Sequence, residues 1–113
     1  MPLRIDFHVH SFFSMDGVSS PEDLVAAARA AGLNGFAVTD HNTCEAVDYM
    51  LEKGLMREDG QPVDGFLVIP GVEVTTSDGH LLCLGCRLPS TLRGRPAVEV
   101  CAAAHEAGCL CVA

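Results

Sequence analysis

Short apolar runs alternate with segments that carry helix start and stop signals, and this alternation constrains the 113-residue chain most, towards an α/β fold. Residues 3–10 have period-2 patterning, with Leu3, Ile5, Phe7 and Val9 on one face and Arg4, Asp6, His8 and His10 on the other. Ser20-Pro21-Glu22-Asp23 then combines an N-cap, a proline at the first helical position and acids in the first turn. The helix it opens has an apolar stripe of Leu24, Val25, Ala28 and Ala31 and a stop at Gly32. Residues 35–39 predict a second, buried strand. Asn42 or Thr43 can cap a second helix with Ala46, Val47, Met50 and Leu51 inward and a stop at Gly54, before a polar loop over 57–64.

A third strand follows over residues 66–75 with a bend at Pro70-Gly71. The Ser77-Asp78-Gly79 turn is too short for a crossover helix, so a fourth strand over 80–86 should run antiparallel to the third. A loop over 89–96, a helix over 96–107 ending at Gly108 and a strand over 109–113 complete the chain. Val98, Cys101, Ala102 and His105 share helical spacing, which reads His105 as part of a packing stripe and not as a ligand. The sheet is expected to be mainly parallel. A closed (β/α)8 barrel takes roughly 250 residues and eight strands, so four or five strands imply an open sheet or part of a larger one.

Nearly half of the residues are apolar (49%), enough for one packed core, and the formal charge of −8 argues against a general electrostatic grip on nucleic acid or an anionic membrane. With no Trp and one Tyr, a stacking platform for single strands is also disfavoured. An acidic residue at position 6 interrupts any secretory apolar segment, and no run is long enough to span a membrane; a cytoplasmic protein is expected. The six cysteines are then expected as free, core-packing thiols, although Cys83-x-x-Cys86 and Cys109-x-Cys111 also have spacings compatible with a zinc or redox module.

The chemistry concentrates at strand ends. Asp6-x-His8-x-His10 places three side chains on one face of the first strand, the second strand ends in Asp40-His41, and Glu73 lies just past the apolar run of the third. The carboxyl ends of parallel strands are where α/β sheets build their sites. With Asp16 in the first loop and His80 in the fourth strand, the set joins imidazoles and carboxylates suited to Zn, Mn or Fe and exceeds what one tetrahedral ion can use, so two or more divalent ions are implied. Arg87, Arg93 and Arg95 can hold a phosphate through planar guanidinium forks, or simply belong to a solvated loop.

Asp6-x-His8-x-His10-Ser11, Ser14-x-Asp16-Gly17, Thr39-Asp40-His41-Asn42-Thr43, Pro70-Gly71-Val72-Glu73-Val74 and Gly79-His80-Leu81-Leu82 occur in that order. In this combination the chain resembles the PHP (polymerase and histidinol phosphatase) family. The resemblance implies a partial, distorted (βα)7 TIM-like barrel, of which residues 1–113 would be one domain holding the first four to five strands and three helices. It implies metal-dependent hydrolysis of phosphate esters by a multinuclear centre, usually of three ions, that activates water. Carried over by position, His8, His10, Asp16, His41, Glu73 and His80 would be ligands, Glu73 would bridge two ions and act in catalysis with His41 and Asp40, and Asp6 and Asp40 would orient the histidines. The substrate would be a small phosphorylated compound such as a nucleotide. Family members continue beyond position 113 with a His-Pro and an Asp-x-His motif, so the domain is expected to be C-terminally incomplete. A non-catalytic metal-binding module, as in some replicative polymerases of the family, is the alternative.

Overall fold

The computed structural model describes residues 3–14 and 17–112. The elements in chain order are β1 (Ile5–Val9), α1 (Pro21–Ala30), β2 (Gly35–Val38), α2 (Glu45–Glu52), β3 (Leu67–Thr76), β4 (Gly79–Leu84), a 3-10 turn (Ser90–Leu92), α3 (Ala97–Glu106) and β5 (Leu110–Val112). They form a mixed α/β structure around a five-stranded sheet of order β1-β2-β3-β4-β5. The first two pairings are parallel and the last two antiparallel, so the sheet is half antiparallel instead of mainly parallel. The short turn at Ser77–Asp78 allows only the antiparallel return of β4, as its length predicts.

Helix α1 begins as its sequence dictates. The Ser20 hydroxyl accepts the Asp23 N–H at 3.2 Å, Pro21 fills the first turn, and Ala28 is buried with Leu24 and Val25 packed alongside. Helix α2 starts later than its expected caps. Cys44 is its N-cap, without a side-chain cap bond, and the Thr43 hydroxyl instead accepts the Glu45 N–H at 3.2 Å. Ala46, Val47 and Met50 are buried against Phe36, Val38, Phe66 and Val68.

Strand β3 positions most of the site. Residues 67–70 pair in parallel with β2, and residues 71–76 pair antiparallel with β4, so one continuous strand serves two neighbours in succession. The changeover falls at Pro70-Gly71. A Cβ on Gly71 would lie 2.7 Å from the Cys83 carbonyl oxygen and 3.3 Å from that of Val38, so glycine is what lets both flanking strands approach. A second cluster, Val72, Val74, Leu81, Cys83, Val100 and Ala104 among its members, packs α3 against β3 and β4.

Phe7 and Leu3 are exposed (51% and 75%), while Val9 on the same face packs against the first core cluster. The expected packing face of α3 is corrected. Helix α3 packs through Val100 and Ala104, leaving Val98 and His105 exposed; its Ala- and Val-rich sequence gives several equally apolar faces. Cys86 and Cys109 lie side by side with their Cα atoms 5.3 Å apart, a separation at which a disulfide can form, whereas Cys44, Cys83, Cys101 and Cys111 stand as free thiols. Burial, then the neighbouring Cys111, pushes the Cys83 thiol up to about 12, in keeping with a packing role. No helix among the described residues is long and apolar enough to cross a membrane.

Candidate metal centre

Four histidines from three strands converge on a single carboxylate borne by a fourth. His8 lies on β1 and His10 just beyond it; His41 follows β2, Glu73 lies on β3 and His80 on β4. Both His8 Nε2 (2.6 Å) and His10 Nε2 (2.9 Å) meet Glu73 Oε1. On the other oxygen, His80 Nδ1 lies 3.3 Å and His41 Nδ1 3.9 Å from Glu73 Oε2. The imidazoles form a row, with ring centroids 5.0 Å apart for His8–His10, 4.3 Å for His10–His41 and 5.7 Å for His41–His80.

The backbone holds this geometry in register. Residues 40–42 continue the parallel pairing beyond β2, with the Glu73 N–H donating to the Asp40 carbonyl and the Asn42 N–H to the Glu73 carbonyl, each at 2.9 Å. This places His41 directly opposite Glu73. Asn42 follows in the left-handed region (φ 57°), and its side chain bonds to both the Thr75 N–H and the Thr75 hydroxyl. Glu73 is therefore fixed from both sides of β3, with its side chain 8% exposed.

Burial is the largest single influence on the Glu73 carboxyl and acts to raise its pKa. Hydrogen bonds from His8 and His10 and the charges of His41 and His8 together outweigh it, so the group is held below its ordinary value and favours the carboxylate.

Asp40 is placed differently from its expected role. Its carboxylate is 1% exposed and accepts from the Ser11 N–H (2.5 Å), the Ser11 hydroxyl (2.6 Å) and the Ser14 hydroxyl (2.9 Å), not from an imidazole. The Ser14 oxygen in turn accepts the His41 N–H at 2.8 Å. Asp40 thus ties the loop after β1 to the end of β2 and acts on His41 through its backbone. The Asp6 carboxylate accepts the N–H of His8 in its own strand at 3.0 Å and likewise does not reach a ring. Asp16 lies outside the described residues. In the sequence Ser11 and Ser14 stand only as motif positions without a role, because their partner lies 29 and 26 positions away.

The three candidate arginines separate. Arg87 pairs with Asp48 at 2.5 Å and Arg95 lies 3.6 Å from Glu99, whereas Arg93 lines a pocket of about 460 Å³ together with His41. The cysteines do not assemble a competing site: among the described residues, the groups of three able to hold a metal ion are His8, His10 and Glu73, and His41, Glu73 and His80. In each group the donor atoms lie within 4.8 Å of one another. Imidazole nitrogens with a carboxylate oxygen form a donor set that fits divalent transition metals, and both groups share Glu73.

The model of the PHP domain family matches residues 6–109. A probable phosphatase of Enterobacter sp. (strain 638) is 33% identical over 90 residues, covering 76% of this chain and 36% of that protein. An error-prone DNA polymerase of Cutibacterium acnes is 48% identical over 48 residues, 42% of this chain and 4% of that protein. Among solved structures, a two-domain protein from Bacteroides vulgatus containing a predicted PHP-like metal-dependent phosphoesterase superposes with a TM-score of 0.74 at 25% identity. That likeness covers 96% of this chain and 34% of the other, so the five strands and three helices correspond to a curled half-barrel. The chain spans about a third or less of the length of these proteins. By the extent of the family match and the donor set that converges on Glu73, the chain belongs to the PHP domain family.

Proposed function

We propose that the chain carries part of the catalytic centre of a metal-dependent phosphatase acting on small phosphate esters, nucleotides among them. The observation that carries this reading is the pair of donor groups sharing one carboxylate, an arrangement suited to two or more ions bridged by Glu73. His8 and His10 would hold one ion and His41 and His80 another, with zinc, manganese or iron matching the donors. When bound, such ions supply Lewis acidity towards phosphoryl oxygens and make water a stronger acid. They would also provide the positive centre that a chain of charge −8 needs to accept an anion.

The protein's own groups have separate tasks. Glu73 favours the carboxylate form and would serve as a ligand common to both groups; the Asp40–Ser14 contact fixes the backbone of His41; the Asn42–Thr75 pair holds the strand on which Glu73 sits. For the complete hydrolytic unit we propose a distorted seven-stranded barrel in which these five strands form one part, in keeping with the share of the relatives that the chain spans.

A non-catalytic metal-binding module is the second reading, favoured by the identity with the polymerase; it carries less weight because that match covers 42% of the chain against 76% for the phosphatase. Elemental analysis after dialysis, paired with hydrolysis of p-nitrophenyl phosphate, separates the two. Metal should persist in the wild type and in Cys83→Ser and disappear in His8→Ala/His10→Ala, with hydrolysis abolished in Glu73→Ala. Metal retained without any hydrolysis would leave the non-catalytic module, and metal held undiminished by the double histidine variant would overturn both.

A further inference from the structure

The pocket of about 460 Å³ beside the metal centre has His41 as the side chain it shares with the His41–Glu73–His80 group. A ligand in contact with an ion held there would extend into this space, whose volume falls in the ordinary range for small-molecule sites. Phe13 supplies an apolar wall, and Asn42 and Thr75 are already bonded to each other. Thr43 and the acidic Glu45 complete the lining, and the cation on the wall is Arg93.

Every other basic side chain is placed elsewhere. Arg87 pairs with Asp48, Arg95 neighbours Glu99, Arg57 pairs with Asp59, Arg29 donates to the carbonyls of Val63 and Asp64, and Lys53 lies over the Tyr49 ring. Arg4 precedes β1, at the end of the strand opposite to His8. Arg93 has no ion pair among the described residues, although its main chain is firmly set. The Arg93 N–H donates to the Ser90 carbonyl at 3.2 Å, and the N–H of Gly94 donates to the Thr75 carbonyl at 2.7 Å. Thr75 is paired across the sheet with His80. The loop bearing Arg93 is thus anchored to the residue that faces a candidate ligand. A guanidinium there presents a fixed fork, the geometry that matches two oxygens of one phosphate.

We infer that Arg93 is a substrate-recognition residue that binds the phosphoryl oxygens of a phosphate monoester seated between the metal centre and the pocket. The inference rests on the phosphatase reading and narrows it to monoesters. A monoester has three unesterified oxygens to divide between the ions and the two arms of the fork, whereas a diester has only two. Inorganic phosphate offers the same oxygens as the monoester and therefore serves as the probe.

The test is calorimetric titration of inorganic phosphate into the metal-loaded chain, with elemental analysis of each sample, for the wild type, Arg93→Ala, Arg93→Lys and Arg95→Ala. Arg93→Ala should weaken binding about tenfold or more with metal content unchanged, Arg93→Lys should recover part of the loss, and Arg95→Ala should stay within about threefold of the wild type. Wild-type affinity in Arg93→Ala, an equal loss in Arg95→Ala, metal loss in Arg93→Ala, or a metal-loaded wild type that binds no phosphate would each overturn the inference. Hydrolysis is scored separately: a wild type that hydrolyses p-nitrophenyl phosphate while Arg93→Ala binds phosphate normally refutes the role of Arg93 alone. Arg93-dependent phosphate binding without hydrolysis refutes the catalytic reading and leaves the recognition site standing.

Discussion

At Asp40 a buried carboxylate accepts three hydrogen bonds from two serines, one of which also receives the His41 N–H. Removing it leaves the Ser11 and Ser14 donors buried without an acceptor. Asp40→Ala is therefore expected to lower stability by about 2–4 kcal/mol in urea titration and to weaken metal retention on dialysis by about tenfold or more, although Asp40 touches no imidazole. A wild-type urea midpoint would contradict this account. Glu73 sets the response to acid. Its folded carboxyl lies below the ordinary 4.5, so ionised Glu73 contributes stability above that value, and the contribution disappears as the pH falls through the lowered one. Metal-free protein should lose thermal stability as the pH falls below about 4.5 more steeply than Glu73→Gln, as followed by circular dichroism. At this scale the sequence revealed residue types and not their partners. His8, His10, His41, Glu73 and His80 were legible because imidazole and carboxylate recur at strand ends. The role of Asp40 was not, because it depends on serines more than twenty positions away.

Among the elements, β3 carries the heaviest constraint, since the change of partner at Gly71 aligns Glu73 with both His41 and His80. Gly71→Ala would press a methyl group between two backbone carbonyls. It should cost about 1–3 kcal/mol in thermal or urea unfolding and reduce metal retention, because the shift falls two residues before Glu73. Element type was readable wherever local chemistry was decisive: the Ser20 cap, the stop at Gly54 and the tight turn before β4. It failed where the sequence is degenerate or where the answer is tertiary. The face of α3 could not be chosen within a run of Ala, Val and Cys, and the antiparallel half of the sheet includes the pairing of β4 with β5, which are separated by a loop and a helix.

For the molecule as a whole, Cys86 and Cys109 bring the end of β4 to the start of β5, and the 23 positions that separate them include α3 and the Arg93 loop. A disulfide closed at this pair should raise stability by about 2–4 kcal/mol through the smaller freedom of the unfolded chain. A urea midpoint that moves with reductant in the wild type, but not in Cys86→Ser/Cys109→Ser, would verify it. The pairing was not legible because both partners look like ordinary core thiols until β4 and β5 are side by side.

The contact between His8 and Glu73 spans 65 positions of sequence. Whatever folds first, this contact exists only after one of the longest loops in the molecule has closed, and such closures are slow compared with helix formation. No short excised peptide can reproduce the imidazole–carboxylate cluster. A cleavage in the polar loop at residues 57–64 would leave His8, His10 and His41 on one piece and Glu73 and His80 on the other, held together without a covalent link by the β2–β3 pairing and by packing. The histidine resonances are therefore a late clock for folding, reporting the arrival of β3 beside β2 and not the growth of any single element.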